Sequence, residues 1–78
     1  MELGHRIKLL RTYLKYDQKQ LSQYLRTSQS QLSKIEAGKA APGLYHLLMI
    51  KRLADTDEYL RENLFWRWLL EGRGKGLL

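Results

Sequence analysis

The stretch QKQLSQYLRTSQSQLSKIEAG, residues 18–38, contains two short helical patterns with almost no sequence between them. Leu21 and Leu25 mark the apolar side of the first pattern, and Leu32 and Ile35 mark that of the second. Only two residues separate Leu25 from the serine that can begin the second helix. A connection this short forces a sharp angle between the helices, which is the geometry of a helix-turn-helix.

Both helices have residues that signal their start and their end. Asp17 followed by Gln20 forms a capping-box pattern at the start of the first helix, and Ser28 followed by Gln31 repeats it at the start of the second. Gly38 comes directly after the second helix, where glycine supplies a left-handed stop. These signals predict one helix after Asp17 and another between Ser28 and Gly38.

Three further helices are predicted on either side of this pair. Helical spacing marks a first helix over roughly 3–14, a fourth to about residue 54, and a fifth from a cap at Asp57 to about residue 71. The apolar residues that mark them are Leu3, Ile7, Leu10 and Leu14, then Leu44, Leu47, Leu48 and Leu53, then Leu60, Leu64 and Trp68. No segment alternates for long enough to form a strand. We therefore expect an all-α fold of five helices in one domain over residues 1–71, followed by a flexible basic tail over 72–78.

Composition narrows the class of protein. The 78 residues include no cysteine, which excludes disulfides and thiolate metal sites. No apolar run approaches the ~18 residues that a membrane-spanning helix needs. The charged N-terminus is unlike a signal peptide, so a cytoplasmic protein is the default expectation. His5 and His46 stand without a catalytic or metal-binding pattern around them, so we expect no enzyme, no metal site and no cofactor.

The chain carries a net charge of +6, and the excess is concentrated near its start. Residues 1–16 set four basic side chains against Glu2 alone, and these are Arg6, Lys8, Arg11 and Lys15. This excess favours a polyanionic partner, either nucleic acid or an anionic membrane surface.

A specific set of residues in the helix pair carries a family resemblance. The set is Gln18, Leu21, Ser22, Leu25, Ser28, Leu32, Ile35, Glu36 and Gly38. With it, residues 18–38 resemble the helix-turn-helix of the Cro and lambda-repressor family of DNA-binding proteins. The first helix and the Pro42–Gly43 entry to the fourth extend the resemblance over roughly residues 3–54. It implies a compact five-helix lambda-repressor-like DNA-binding domain, with the helix-turn-helix formed by helices 2 and 3.

The resemblance also implies that residues 28–37 form a recognition helix that lies in the major groove of DNA. The side chains expected to contact base edges are Gln29, Ser30, Gln31, Lys34 and Ser33. A Gln amide can pair with adenine through two hydrogen bonds, and Lys suits guanine. The alternatives are that Gln31 only completes the capping box and that Lys34 is a solvated surface residue.

A second set of residues is expected to contact DNA phosphates: Gln18, Lys19, Arg26, Thr27, Ser28 and Lys39. In similar proteins a Gln at the position of Gln18 bonds a phosphate and braces the first residue of the recognition helix, here Gln29. Arg26 departs from the family pattern, which commonly has Gly at this turn. Either the turn has a different shape, or Arg26 tolerates left-handed strain and adds a phosphate contact.

Arg11 and Glu36 are expected to form an internal ion pair, as an Arg and a Glu at these places do in proteins that resemble this chain. We interpret the pair as a structural clamp between helices rather than as a binding site.

The fifth predicted helix carries more apolar side chains than one buried face needs. The surplus, Phe65, Trp66, Leu69 and Leu70, predicts an interface for a second copy of the chain or for a partner protein. The alternative is that Phe65 and Trp68 complete the core and Trp66 is merely exposed.

With these patterns, the resemblance implies a sequence-specific double-stranded DNA-binding transcription regulator of a prokaryote or phage, a repressor rather than an activator. A homodimer on a palindromic operator fits, because paired recognition helices about 34 Å apart match two half-sites. The rival hypothesis is a protein-interaction module that keeps the fold and docks through the aromatic helix 5. A role at a membrane surface is a distant third.

Overall fold

The computed structural model describes residues 2–62 and 65–72, except for the side chains of residues 62, 65 and 66. Within these residues the chain forms helices and no strand: α1 (Leu3–Tyr13), α2 (Gln18–Tyr24), α3 (Gln29–Glu36), α4 (Leu44–Ala54), α5 (Glu58–Glu62) and α6 (Phe65–Glu71). The predicted all-α class is confirmed, and α2 and α3 are the helix-turn-helix pair. In this part of the chain no helix is long and apolar enough to cross a membrane.

The helix predicted over residues 57–71 is described as α5 and α6, on either side of residues 63–64, which lie outside the described residues. Leu60 on α5 and Leu69 on α6 are both buried, at 2% and 0% exposure. Both described segments therefore contribute a leucine to the core.

One continuous core lies between the helices. It consists of Ile7, Leu10, Leu21, Leu25, Leu32, Ile35, Ile50, Leu53, Ala54, Leu60, Trp68 and Leu69. The apolar stripes predicted for the first three helices supply half of it. Burying one large aliphatic or aromatic side chain stabilises a fold by about 1.5–3 kcal/mol, so this cluster is the main source of stability.

The fourth helix ends at Ala54 as predicted, but not all of the apolar residues that mark it are buried. Leu44 and Leu48 are 72% and 50% exposed, whereas Ile50, Leu53 and Ala54 are buried. Leu47 and Met49 are partly buried against the core, and the fully buried residues lie in the second half of α4.

The helices α1, α2 and α3 all end in a Schellman motif. The left-handed residues are Lys15 at φ 64°, Arg26 at φ 56° and Gly38 at φ 78°. In each case the next N–H returns to a carbonyl of the last helical turn: Tyr16 to Arg11 at 3.1 Å, Thr27 to Ser22 at 2.9 Å and Lys39 to Lys34 at 2.8 Å. Arg26 therefore adopts the left-handed conformation. Of the two alternatives given for this turn, the one in which the turn has a different shape is wrong.

The start of α2 has both hydrogen bonds of a capping box. The Asp17 carboxylate accepts from the backbone N–H of Gln20 at 2.7 Å, and the Gln20 side chain accepts from the backbone N–H of Asp17 at 2.9 Å. Two otherwise unsatisfied donors are paired in this way, so α2 begins at a defined residue.

Replacing Asp17 with alanine is expected to lower the free energy of unfolding by ~1 kcal/mol, because the N–H of Gln20 loses its acceptor. Asp17→Asn is the matched control, since it keeps a side-chain oxygen for the cap, and its stability should stay close to that of the wild type. Urea unfolding followed by circular dichroism measures both. An Asn variant as unstable as the Ala variant would assign the effect to charge instead of the cap.

Arg6 connects the first helix to the last one. Its side chain is buried, with 6% of the residue exposed, and its Nε donates to the carbonyl of Leu69 at 2.6 Å. A cation at the C-terminal end of a helix also meets the negative end of the helix dipole. One side chain of the basic N-terminal segment is thereby used inside the fold and is not available to a partner.

The tip of α1 is tied to the segment before α5. The Tyr13 hydroxyl donates to the Asp57 carboxylate at 3.2 Å, and the rings of Tyr13 and Tyr59 lie 6.5 Å apart. Asp57 also begins α5, where it accepts from the N–H of Leu60 at 3.0 Å. Desolvation and the bonded negative charge of Asp57 raise the pKa of the Tyr13 hydroxyl above its usual value of 10.0.

Candidate nucleic-acid interface

α3 has two chemically different sides. Its apolar side packs into the core through Leu32, at 0% exposure, and Ile35, at 2%. The opposite side is polar: Gln29, Ser30, Ser33 and Lys34 are exposed, and Gln31 is half-buried. These side chains offer amide, hydroxyl and ammonium groups, and the helix's one carboxylate, Glu36, is buried. The outer side of α3 therefore presents donors, acceptors and one positive charge without an acid.

The start of α3 adds backbone donors to this surface. Ser28 is the cap residue, and its hydroxyl accepts from the backbone N–H of Gln31 at 3.0 Å. The Gln31 side chain does not return a bond to Ser28, in contrast to Gln20 in the capping box of α2. Gln31 therefore has no capping duty that would occupy its amide. The first N–H groups of a helix favour an anion such as phosphate.

Glu36 is buried because Arg11 neutralises it. Arg11 Nε donates to Glu36 Oε2 at 2.7 Å and Nη2 donates to Oε1 at 3.1 Å, with side-chain exposures of 10% and 3%. A two-point Arg–carboxylate contact is among the strongest ion pairs in geometry and energy. Arg11 Nη1 also donates to the carbonyl of Tyr16 at 2.9 Å. The ion pair thus links α1, the α1–α2 connection and the end of α3.

Gln18 contacts Glu36 and not Gln29, which corrects the expected brace between Gln18 and the first residue of α3. Its Nε2 donates to Glu36 Oε1 at 3.0 Å. The physical reason is that a carboxylate, already oriented by Arg11, is a stronger acceptor than the neutral amide of Gln29. Gln18 remains half-buried at the start of α2.

The other residues expected at phosphates lie at the ends of α2 and α3. Lys19, Arg26, Ser28 and Lys39 are exposed, and Thr27 is half-buried. Arg26 and Lys39 each belong to a Schellman motif, so their backbone positions are well defined while their side chains are exposed. The structure thus places basic groups at both ends of the helix pair.

Ser22 and Gly4 allow the helices around α3 to pack closely. Ser22 is 3% exposed, and its hydroxyl donates to the carbonyl of Lys19 at 2.9 Å. Gly4 of α1 lies against the carbonyls of Ile35 and Glu36, where a Cβ would overlap the backbone of α3. Small residues at these two places hold α3 close to α1 and α2. The role of Gly4 was missed from the sequence, because a glycine inside a helix pattern carries no signal of which backbone approaches it.

The expected interface on the last helix changes in composition. Leu69 was a wrong assignment, because it is 0% exposed and belongs to the core, whereas Leu70 is 47% exposed. The side chains of Phe65 and Trp66 lie outside the described residues. A second group of exposed apolar side chains, missed from the sequence, lies on α4: Leu44, Tyr45 and Leu48, at 72%, 47% and 50% exposure.

No arrangement suited to a metal ion occurs where the structure is described: residues 2–62 and 65–72 contain no group of three or more His, Asp or Glu side chains that could hold one. His46 has a local structural contact, since its Nδ1 accepts from the backbone N–H of Gly43 at 3.2 Å at the start of α4.

Two short helices joined by a left-handed turn, with a polar and acid-free outer side on the second, define a helix-turn-helix protein. The sequence model of the helix-turn-helix domain matches residues 4–75, and the chain belongs to that family. This match covers nearly the whole chain and indicates DNA binding in transcription regulation. It also extends into the segment predicted as a tail, of which residues 73–78 lie outside the described part. No curated protein and no solved structure matches the chain.

Proposed function

We propose that this protein is a sequence-specific double-stranded DNA-binding transcription regulator that places α3 in the major groove. The observation that carries the proposal is the outer side of α3, where exposed amide, hydroxyl and ammonium groups occur together and the one carboxylate is buried against Arg11. Base edges in the major groove present complementary acceptors and donors, and the surrounding phosphates repel exposed acids.

Gln29, Ser30, Gln31, Ser33 and Lys34 are proposed to contact base edges. Gln29 is the first residue of α3, and residues at the start of a recognition helix reach furthest toward the bases. Its amide can donate to N7 and accept from N6 of adenine, and the Lys34 ammonium suits the acceptors of guanine. The hydroxyls can donate to or accept from either type of base.

Gln18, Lys19, Arg26, Thr27, Ser28 and Lys39 are proposed to contact phosphates. Such contacts set the register and orientation of the protein on the duplex without reading its sequence. Each cation that neutralises a phosphate releases counterions, so the affinity should fall steeply as salt rises.

Binding of labelled duplexes tests the proposal, with Gln29→Ala/Lys34→Ala as the variant. The wild type should bind DNA at low salt, and its log affinity should fall by about 0.9 per neutralised phosphate for each tenfold rise in salt. The double variant should lose at least ~10-fold of the preference for a selected duplex over a scrambled one, since each good base contact contributes ~1–3 kcal/mol.

Arg61→Ala is the control for this experiment. Arg61 is exposed on α5 and carries the same charge as Lys34, but it belongs to none of the proposed contact sets. It should keep the sequence preference of the wild type. A wild-type protein that binds no duplex even at low salt would contradict the proposed function.

Two substitutions of Arg26 separate its backbone role from its charge. Left-handed backbone at a residue other than Gly costs roughly 1 kcal/mol, so Arg26→Gly is expected to be about 1 kcal/mol more stable than Arg26→Ala. Both variants lose one cation, so both should lower the salt slope of DNA binding by about 0.9. Thermal unfolding and salt-dependent binding measure the two effects. An unchanged salt slope in both variants would exclude the phosphate contact.

A homodimer on a palindromic operator is proposed as the acting form, because symmetric proteins read symmetric sites and most small oligomers have a two-fold axis. Leu70 on α6 remains exposed and is available to such a contact. Repression requires only that the operator be occupied, whereas activation requires a further contact, so repression is the simpler outcome. The setting that fits this function is the cytoplasm of a prokaryotic or phage-infected cell.

A protein-interaction module is the second candidate, and one observation favours it. Leu44, Tyr45 and Leu48 form an exposed apolar group on α4, and grouped apolar exposure is a mark of interaction sites. The two candidates differ in their response to Leu44→Ser/Leu48→Ser. A regulator keeps its DNA binding in this variant, whereas an interaction module shows no DNA binding in the wild type and loses its self-association or partner binding in the variant.

A further inference from the structure

The ion pair between Arg11 and Glu36 has a third member. Glu36 Oε1 accepts from two donors, Arg11 Nη2 at 3.1 Å and Gln18 Nε2 at 3.0 Å. Oε2 accepts from Arg11 Nε at 2.7 Å. The carboxylate is therefore held at both oxygens by Arg11 and in turn holds the amide at the start of α2.

An ionised carboxylate accepts hydrogen bonds and cannot donate them. It therefore decides which end of the Gln18 amide faces it, because only the NH₂ group can meet a carboxylate. One N–H of Gln18 is used by Glu36, and the second N–H and the carbonyl are left for other partners. A free glutamine amide has no such preference and can present either end.

We propose that Glu36 is a positioning residue for DNA binding, which fixes the orientation of the Gln18 amide so that its second N–H donates to a DNA phosphate. This inference rests on the proposed DNA-binding function. A phosphate oxygen, like a carboxylate, only accepts, so it requires the N–H end of the amide. Glu36 supplies that orientation before DNA arrives, and the Gln18 contact then costs less ordering entropy.

Arg11 makes the arrangement compatible with DNA. An unpaired Glu36 would place a negative charge behind the phosphate contact and oppose binding. Since Arg11 neutralises Glu36 through two hydrogen bonds, the carboxylate can orient Gln18 without repelling the backbone of the duplex. Mechanical clamping of α1 to α3 alone would not require a carboxylate, because a buried ion pair can often be replaced by apolar side chains of similar volume.

A scan of single phosphates tests the inference on a duplex that the wild type binds. One phosphate at a time is replaced by an uncharged methylphosphonate, and the affinities of the wild type, Gln18→Met and Arg11→Met/Glu36→Met are measured. At one backbone position the wild type should lose ~10-fold, the effect of one hydrogen bond to a charged group. Both variants should be insensitive to the replacement at that position and should keep the wild-type losses elsewhere.

The outcomes separate this inference from the proposed function. Absence of wild-type DNA binding overturns both. A folded Arg11→Met/Glu36→Met variant with the complete wild-type profile overturns the positioning role alone, since a purely structural ion pair predicts that result. The positioning role is also overturned if Gln18→Met and the wild type lose the same affinity at every phosphate position.

A second measurement on the wild type does not depend on the folding of a variant. The two amide protons of Gln18 are resolved by nuclear magnetic resonance of the ¹⁵N-labelled protein during titration with the duplex. The proton bonded to Glu36 should keep its shift while the other proton moves. If the chemical shift of the proton bonded to Glu36 also changed on DNA binding, Glu36 would have released Gln18. That result would exclude the positioning role.

Discussion

Glu36→Ala is expected to lower the free energy of unfolding by ~3–5 kcal/mol, because it leaves the buried Arg11 guanidinium without its counter-charge. Arg11 has 10% of its side chain exposed, and two of its hydrogen bonds end on Glu36. The carbonyl of Tyr16 alone cannot compensate a positive charge in this environment. Small domains are stable by only about 5–15 kcal/mol, so this variant should be substantially unfolded at moderate temperature.

The control for this variant is Lys51→Ala, which breaks a second ion pair among the described residues, between Lys51 and Asp55 at 2.7 Å. That pair is open to solvent, with side-chain exposures of 33% and 38%, and spans one helical turn. Exposed pairs of this kind contribute ~0.3–0.5 kcal/mol. Urea unfolding should therefore separate the two variants clearly. Equal effects, or a Glu36→Ala variant as stable as the wild type, would contradict a buried clamp.

Gly4→Ala is expected to destabilise the fold by ~1–3 kcal/mol through overpacking. The added Cβ would overlap the carbonyl oxygen of Ile35 and lie 3.0 Å from that of Glu36. These are backbone atoms, so they cannot turn aside as a flexible side chain would. Alanine is intrinsically better than glycine in a helix by roughly 0.5–1 kcal/mol, and the overlap has to exceed this gain. α1 and α3 must then move apart, and DNA binding should weaken with the displaced recognition helix.

Gly43→Ala is the matched control, because a Cβ at this position meets only the His46 ring, at 3.8 Å. Gly43 also has an ordinary extended backbone, with φ −76°. Its replacement should lower the free energy of unfolding by no more than ~0.5–1 kcal/mol, because Gly43 caps α4 and alanine is a poorer cap than glycine. Thermal unfolding of both variants measures the difference. A Gly4→Ala variant that melts with the wild type would show that the two helices are not held in close contact.

The part of the fold that the sequence predicts well is the part that local rules control. The start of α2 follows from Asp17 and Gln20, the end of α3 from Gly38, and the inward residues of both helices from their spacing. Each of these depends on side chains and backbone within one or two turns. For this reason the helix-turn-helix could be predicted before any long-range contact was known.

The errors concern contacts between distant segments. The exposure of Leu44 and Leu48 on α4 depends on how much core is available to the later helices. A spacing pattern shows which residues share a face, but not whether another helix covers that face. Leu69 was misplaced for the same reason, since its burial depends on the helices α1 and α4 that contact α6.

The candidate site shows the same division. The residues with exposed polar side chains on α3 could be chosen from the sequence, because they follow from the helical face opposite Leu32 and Ile35. The partner of Gln18 could not be chosen in this way, because it depends on the distance between the start of α2 and the end of α3. The bond from Arg6 to Leu69 spans most of the chain and has no local signal at all.

Selection of bound duplexes from a random pool tests the central claim most directly, which is that α3 reads a DNA sequence. The wild type should enrich duplexes that share a short motif, arranged as an inverted repeat with half-site centres about 34 Å apart. Gln29→Ala should enrich the same motif with the preference lost at one position of each half-site. A wild-type selection at low salt that yields no shared motif would contradict the claim.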